Sequence, residues 1–568
     1  MIFDDTADLL FINGIIYTAD EQDIIYQALG VKESQIVFLG NDDQSAGCIG
    51  PHTQIINLQG KMIIPGMIDT HIHPPGLVLS ELYEVQLFGI TSIEGYIKGV
   101  KEFINQHPSA QAVFGRGWSW GALSGDDLML GPQKEYLDQV APNIPVMLQA
   151  GDGHSLWVNS KALAVHGITK ETKEPNGGVI VKNPDNGEVR GTLKEGAMRL
   201  VVWPEYNHEQ YREAMKVFQE KMHSFGITGI FCIASRLLAK IYQACEQLNK
   251  DKALTMFVRG AVTISPDEDL SLQFTAIDKL RKLYHSPYLQ ITGTKFFADG
   301  VIEGSTGFLL KPYSAGAGKG DGYYGEFLWD IEKLKQAFFM ANQHGLQIHV
   351  HSIGDGATRN VLDALEDVHK KMPQGDYRNS ITHLQLVDKE DILRFKEMNI
   401  IANVQPYWHF KGPHWWEKVD YRILGERAKE EYPLGSFFAN GVTVASSSDY
   451  SITNVPYPMR GIAIGVMRNM ENGAFYGGVE DIKHMDNDQY LLNKKERATV
   501  RQMIKSFTIN GAYAMKIDQE TGSLELGKQA DLVVLDQNLL TINPIDIAKV
   551  KVIMTFFAGK LVYENINN

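Results

Sequence analysis

Cysteine is scarce: Cys48, Cys232 and Cys245 are the whole complement of 568 residues and form no spaced cluster. That excludes a disulfide scaffold and a thiolate zinc site, and it suits a reducing compartment. Long apolar runs are missing too, none approaching the ~18 residues of a membrane-crossing helix. Met1-Ile2-Phe3-Asp4-Asp5 is acidic where a secretory leader is basic, so a cytoplasmic chain without a membrane partner is expected. Basic residues are in deficit, 54 Lys and Arg against 68 Asp and Glu for a net charge of −14, so nucleic acid would be repelled over most of the surface. Even Lys370-Lys371 closely follows Asp363, Glu366 and Asp367, as on a solvated helix face. No glycine-rich dinucleotide fingerprint follows an early strand. What remains is an ordinary globular composition, 44% hydrophobic and 21% charged, sized for one large domain with a smaller companion and a small-molecule partner.

The two ends of the chain share one pattern. Short β runs separated by turn signals occupy 9–17, 27–31, 36–39 and 53–58, and again 531–535, 551–557 and 561–563. Neither end alone buries much, so residues 1–65 and 515–568 are expected to pair into one small β-sandwich. Between them, over 66–514, short apolar runs alternate with helical stretches such as 207–225 and 331–344, the signature of βα units around a parallel sheet. Candidate strands lie at 144–148, 227–232, 255–261, 290–297, 347–350, 379–382, 400–404 and 443–446. The predicted class is α/β, with such units closed into a (β/α)8 TIM barrel.

Polar residues at the strand ends carry the chemistry. In Gly66-Met67-Ile68-Asp69-Thr70-His71-Ile72-His73-Pro74 the two histidines share a face of an extended strand and converge where Pro74-Pro75-Gly76 stops it. Two histidines so spaced often occur by chance; further partners decide the matter. Lys295, His351, His383 and Asp449 each stand within or at the C-terminal edge of an apolar run, the edge where a barrel presents its catalytic groups. His351 and His383 are 32 residues apart, close to one βα unit, and His383 and Asp449 are 66 apart, close to two, which fits strands five, six and eight. From His73 to Lys295 is 222 residues, where three units need roughly 90, so a large insertion before the fourth strand is expected. Imidazole and carboxylate are the usual N/O ligands of zinc, which makes His71, His73, His351, His383 and Asp449 a coherent set. A protonated Lys295 would repel a dication, so it must lose its proton, form a covalent adduct or point elsewhere. As a neutral amine it can add CO₂ to become a carbamate able to bridge two metals.

Further segments complete a resemblance. They are Asp152-Gly153-His154-Ser155-Leu156-Trp157-Val158-Asn159, Lys295-Phe296-Phe297-Ala298-Asp299-Gly300, His351-Ser352-Ile353-Gly354-Asp355, Thr382-His383-Leu384-Gln385, Ser448-Asp449 and Gly522-Ser523-Leu524-Glu525-Leu526-Gly527. With them the chain resembles, over nearly its whole length, the amidohydrolase superfamily, and within it the family 3 branch of N-substituted formamide deformylase-like metal-dependent hydrolases. The resemblance implies a distorted barrel, a β-sandwich from both termini, a homodimer, and a centre of one or two divalent ions, zinc foremost. Carried over by position, His71 and His73 hold the first metal, His351 and His383 the second, carboxylated Lys295 bridges them, and Asp449 binds the first metal and moves the proton. The implied reaction is hydrolysis of a linear C–N bond of an amide or an N-formyl or N-acyl amine. A single-metal deaminase is the alternative, yet such enzymes place a glutamate shortly after the fifth-strand histidine, and Ser352-Ile353-Gly354-Asp355-Gly356 has none. A non-catalytic scaffold would lack ligands, whereas all six positions are filled.

Candidate substrate contacts are His154, Trp118, Asp299, Glu303 and Gln405; Asp299 and Glu303, just past Lys295, alternatively orient the bridge, and Asp299-Gly300 also reads as an ordinary tight turn. Trp118 and Trp120, with Tyr407, Trp408, Trp415 and Trp416, supply aromatic surface on expected βα loops and favour a substrate with an apolar or aromatic group. Residues 304–325, rich in glycine, read as a mobile lid. His349, on the same strand face as His351 but one layer deeper, reads as a satisfied interior histidine.

Overall fold

The computed structural model describes residues 6–203, 205–234, 239–412, 415–470 and 490–566. Eight strands, β1 (Met67–Ile72), β2 (Ile227–Ala234), β3 (Phe257–Thr263), β4 (Leu289–Phe297), β5 (Gln347–Ser352), β6 (Ser380–His383), β7 (Ile401–Val404) and β8 (Val444–Ser446), form one sheet in which each pairs in parallel with the next. The edges β8 and β1 meet through Thr70 Oγ1, which donates to Ser446 O at 2.9 Å. Just beyond the strand ends Asp449 N donates to His71 O and His73 N to Tyr450 O, both at 2.9 Å, so the sheet is a nearly closed barrel. Strand β2 is buried at every position. Such strands read as continuous apolar runs because both faces are covered. The helix Ile331–Gln343 shows how the connections fold: Asp330 caps it by accepting from Lys333 N at 2.9 Å, and Leu334, Ala337, Phe338 and Ala341 bury one stripe. Gly345, at φ +69°, ends it in a conformation that costs glycine nothing.

The two chain ends interleave. Met62–Pro65 runs antiparallel to Leu532–Leu535, with Leu532 opposite Pro65 and Leu535 opposite Met62. Both lie in a six-stranded sheet; a second sheet of four strands comes from the N-terminal part alone. Phe11 and Phe556 meet edge-on at 5.3 Å in a common core with Leu29, Ile63 and Val534. Each set of strands is completed by the other, giving the β-sandwich.

Leu77–Ala214, between β1 and β2, forms a compact unit of its own. It holds a mixed six-stranded sheet ordered Gly178–Lys182, Val189–Glu195, Ser155–Val158, Val146–Ala150, Val113–Trp118 and Val85–Gln86. The strand expected at 144–148 is therefore real, as Val146–Ala150, but it belongs to this sheet and not to the barrel. A short buried apolar run carries the same local signal in either setting, and long-range pairing chooses between them. No described helix is long and apolar enough to cross a membrane.

Candidate metal centre

Register sets the height of each polar side chain in the barrel. Lys295 lies opposite His349, Phe297 opposite His351, and Ser352 opposite His383, which puts Lys295 one layer below His351. His383 and Asp449 take left-handed backbone, φ +79° and +53°. That conformation costs a non-glycine residue on the order of 1 kcal/mol. It occurs at the ends of β6 and β8, where both side chains join His71, His73, Lys295 and His351 in lining one cavity. His71 Nε2 and His73 Nε2 lie 3.5 and 3.0 Å from Asp449 Oδ1. One ligand atom from each of these three falls within 4.8 Å of the others. The ring centroids of His71 and His383 are 5.1 Å apart, and those of His351 and His383 4.5 Å.

Hydrogen bonds behind the rings assign the free nitrogens. His73 Nδ1 is 3.3 Å from Ile233 O, His383 Nδ1 2.9 Å from Gln405 Oε1, and His351 Nε2 3.0 Å from Gly300 O. Carbonyl oxygens only accept, so those nitrogens are assigned the protons, and His73 Nε2, His383 Nε2 and His351 Nδ1 keep lone pairs. His71 Nδ1 is 2.7 Å from His349 Nε2, and His349 Nδ1 is 2.6 Å from Ser380 Oγ. Both ring nitrogens of His349 are thus engaged, as the sequence suggests, and proton donation from His71 Nδ1 leaves Nε2 of His71 free. A lone pair on His73 facing a carboxylate oxygen at 3.0 Å is repulsive unless a cation lies between them. Asp449 Oδ1 is buried without a hydrogen bond, and so is Lys295 Nζ. This donor set fits a divalent metal ion.

Burial favours the neutral form of four of these imidazoles, as ligation requires. It pushes His71, His349 and His383 well below the ordinary histidine value, with the neighbouring basic groups adding to the effect. His351 falls to about 4 for the same reason. Burial also brings Lys295 down to about 7, so its neutral amine is accessible near neutrality. Asp69, raised by burial to about 7, accepts from Ser448 N at 3.1 Å and so ties β1 to the segment that carries Asp449.

The amidohydrolase family profile matches residues 54–563. The chain belongs to the amidohydrolase family. This amidohydrolase is 29% identical over 574 residues to LONG AFTER FAR-RED 3 of Arabidopsis thaliana, covering 98% of this chain and 92% of that protein. It is 26% identical over 584 residues to the N-substituted formamide deformylase of Arthrobacter pascens, covering 98% of each. Its fold matches that of an uncharacterized metal-dependent hydrolase from Pyrococcus furiosus with a TM-score of 0.70, over 94% of this chain and 100% of that one at 23% identity.

The cavity of the amidohydrolase holds about 780 Å³ and is walled by aromatic rings, among them Tyr407, Trp408 and Trp415. Trp408 stacks on His383 with centroids 5.6 Å apart. Glu303 lines it as well. Three expected substrate contacts lie outside the cavity lining. Gln405 is fully buried, accepting from His383 Nδ1 and donating to Thr382 Oγ1, Asn403 Oδ1 and Ser447 Oγ, so it orients His383. Asp299, also buried, accepts from the backbone N–H groups of Phe308, Ile353 and Gly354 and staples the loops after β4 and β5. Trp118 belongs to the inserted unit, where its ring is fully buried and Nε1 donates to Leu148 O at 2.8 Å, leaving no face for a ligand. His154, in the same unit, is exposed and lies 3.2 Å from Glu195. The stretch 304–325 is bonded at several points, Leu309 N to Tyr324 O, Leu310 N to Asp355 and Tyr313 Oη to Gly307 O, which does not suit a free lid. Gln385, from the Thr382-His383-Leu384-Gln385 segment, lines the cavity too, and so do Asp420 and Glu431, without any motif to announce them.

Proposed function

We propose that this amidohydrolase hydrolyses a linear C–N bond, of an amide or an N-formyl or N-acyl amine, at a centre of one or two divalent ions, zinc foremost. The observation that carries the reading is the convergence of His71, His73 and Asp449 beside a buried, hydrogen-bond-free Lys295 at the mouth of the barrel. His71, His73 and Asp449 would hold one ion, and His351 and His383 a second, with Lys295, carboxylated on its neutral amine, between them. A divalent ion there would lower the pKa of water towards ~7 and polarise a carbonyl. The protein's own groups do the rest. His349 and Gln405 hold His71 and His383 in orientation. Asp449, with a buried oxygen free of hydrogen bonds, takes the proton of the attacking water and returns it to the departing nitrogen. Water is the nucleophile, so no serine or cysteine is required. Trp408 and its aromatic neighbours receive the apolar part of the substrate.

The test is elemental analysis of wild type and Lys295→Ala prepared in parallel with bicarbonate, followed by turnover of N-acyl amines. About two equivalents of metal in wild type, falling in the variant, are expected. Asp449→Asn should lower kcat by roughly 10²-fold or more while moving KM less. Wild-type turnover in that variant, or no metal in either protein after reconstitution, would overturn the reading.

A further inference from the structure

The cavity has a second polar end that the hydrolytic chemistry does not use. Glu303, Asp420 and Glu431 all line it. Asp420 is only 7% exposed, and its carboxylate has no hydrogen-bond or ion-pair partner among the described residues. Glu431 is 1% exposed and, among the described residues, accepts only from neutral donors, Gln385 Nε2 at 2.7 Å and Trp416 Nε1 at 3.0 Å. Arg468, buried nearby, offsets its charge only in part, because its guanidinium donates to the main-chain carbonyls of Leu492 and Glu431, at 2.9 and 3.0 Å, and to no carboxylate among the described residues.

We propose that Glu303, Asp420 and Glu431 form a subsite for an organic cation, so that the substrate is an amide whose far end bears a protonated amine. This deepens the hydrolase reading and rests on it. Neighbouring buried carboxylates that outnumber the positive charge about them are costly, and a ligand ammonium offsets that cost while donating hydrogen bonds to them. Their surroundings disfavour the charged forms: burial, with Glu303 adding to it, raises Asp420 to about 7, and burial with Asp420 beside it raises Glu431 well above the usual carboxylate range. A bare metal ion is the poorer occupant. The ligand atoms that close to within 4.8 Å of one another, among the described residues, are those of His71, His73 and Asp449, and the three acids make no such group. The rings of Trp408, Phe410 and Trp415 on the same walls suit both the alkyl chain and the face of an ammonium.

The test pairs N-acetylcadaverine with N-acetylhexylamine, which has a methyl group where cadaverine has its ammonium. Binding is measured by tryptophan fluorescence on the full chain after chelation of metal, where nothing turns over, and hydrolysis is measured on the metal-loaded protein. At least tenfold tighter binding of N-acetylcadaverine is expected, with a matching preference in kcat/KM. Asp420→Asn and Glu303→Gln should each shrink that preference severalfold; Glu303 is exposed, so its variant keeps the readout meaningful if Asp420→Asn fails to fold. Cation preference in binding without hydrolysis of either compound upholds the subsite and sinks the hydrolase reading. Hydrolysis of both compounds with no preference upholds the hydrolase and sinks the subsite. Equal binding, no binding of either, or a preference that survives in the folded variants also overturns the proposal.

Discussion

Replacing His349 by leucine should weaken metal binding without touching any proposed ligand. His349 Nε2 is 2.7 Å from His71 Nδ1, and both rings are about 1% exposed. With leucine in place, the His71 N–H that points away from the cavity has no acceptor and no water to replace it. An orphaned buried donor costs about 1–3 kcal/mol. Either His71 bears that cost whenever Nε2 ligates, or the ring adopts the other tautomer and Nε2 is no longer available. Both routes tax the ligating state, so the dissociation constant for zinc at the site of His71 should rise roughly 5- to 150-fold, a range that brackets the usual effect of removing a residue that orients a metal-bound histidine. Competition against a chromophoric chelator measures it directly. His349→Gln, which keeps an acceptor, should recover part of the loss, and urea unfolding in chelator checks that both variants fold. Zinc affinity within twofold of wild type in folded His349→Leu would refute the reasoning.

The other predictions concern the scaffold. His223 is buried between Ile227 O and Thr255 Oγ1 and held down to about 4 by burial. Above pH 6.5 it is neutral in both folded and unfolded chains; as pH falls from there towards 4 only the unfolded chain takes the proton, so stability is lost. The stability difference between wild type and His223→Gln should therefore shift against wild type by on the order of 3 kcal/mol between pH 7 and 4, read from urea midpoints; a flat difference would remove the assignment. At Gly354 an added methyl would stand 2.0 Å from Phe308 O. Gly354→Ala must therefore push the loops after β4 and β5 apart and break the bond from Gly354 N to Asp299, and a loss of about 1–3 kcal/mol is expected in chemical denaturation. Wild-type stability there would show that the loops yield freely.

Much of the centre could be read from the chain because a barrel delivers its functional groups at a repeating place, the C-terminal ends of its strands. His71, His73, Lys295, His351, His383 and Asp449 stand at or near those ends, the last three at unit spacing, and all six line one cavity. The paired β grammar of the two ends likewise announced strands in search of partners, found in the register of Met62–Pro65 with Leu532–Leu535. Both are local signals, carried by residue type and periodicity. What tertiary structure decided is which face each side chain meets. Trp118 and Trp408 look alike as loop tryptophans; one is sealed in a core and the other stacks on His383. Gln405 and Asp299, polar and next to the site in sequence, spend their hydrogen bonds on orienting and stapling. Asp420 and Glu431 have no motif at all, because whether a carboxylate is paired is a property of its surroundings. Sequence names the groups that can ionise or ligate; only packing determines which are left without a partner, and those are the ones with chemistry still to do.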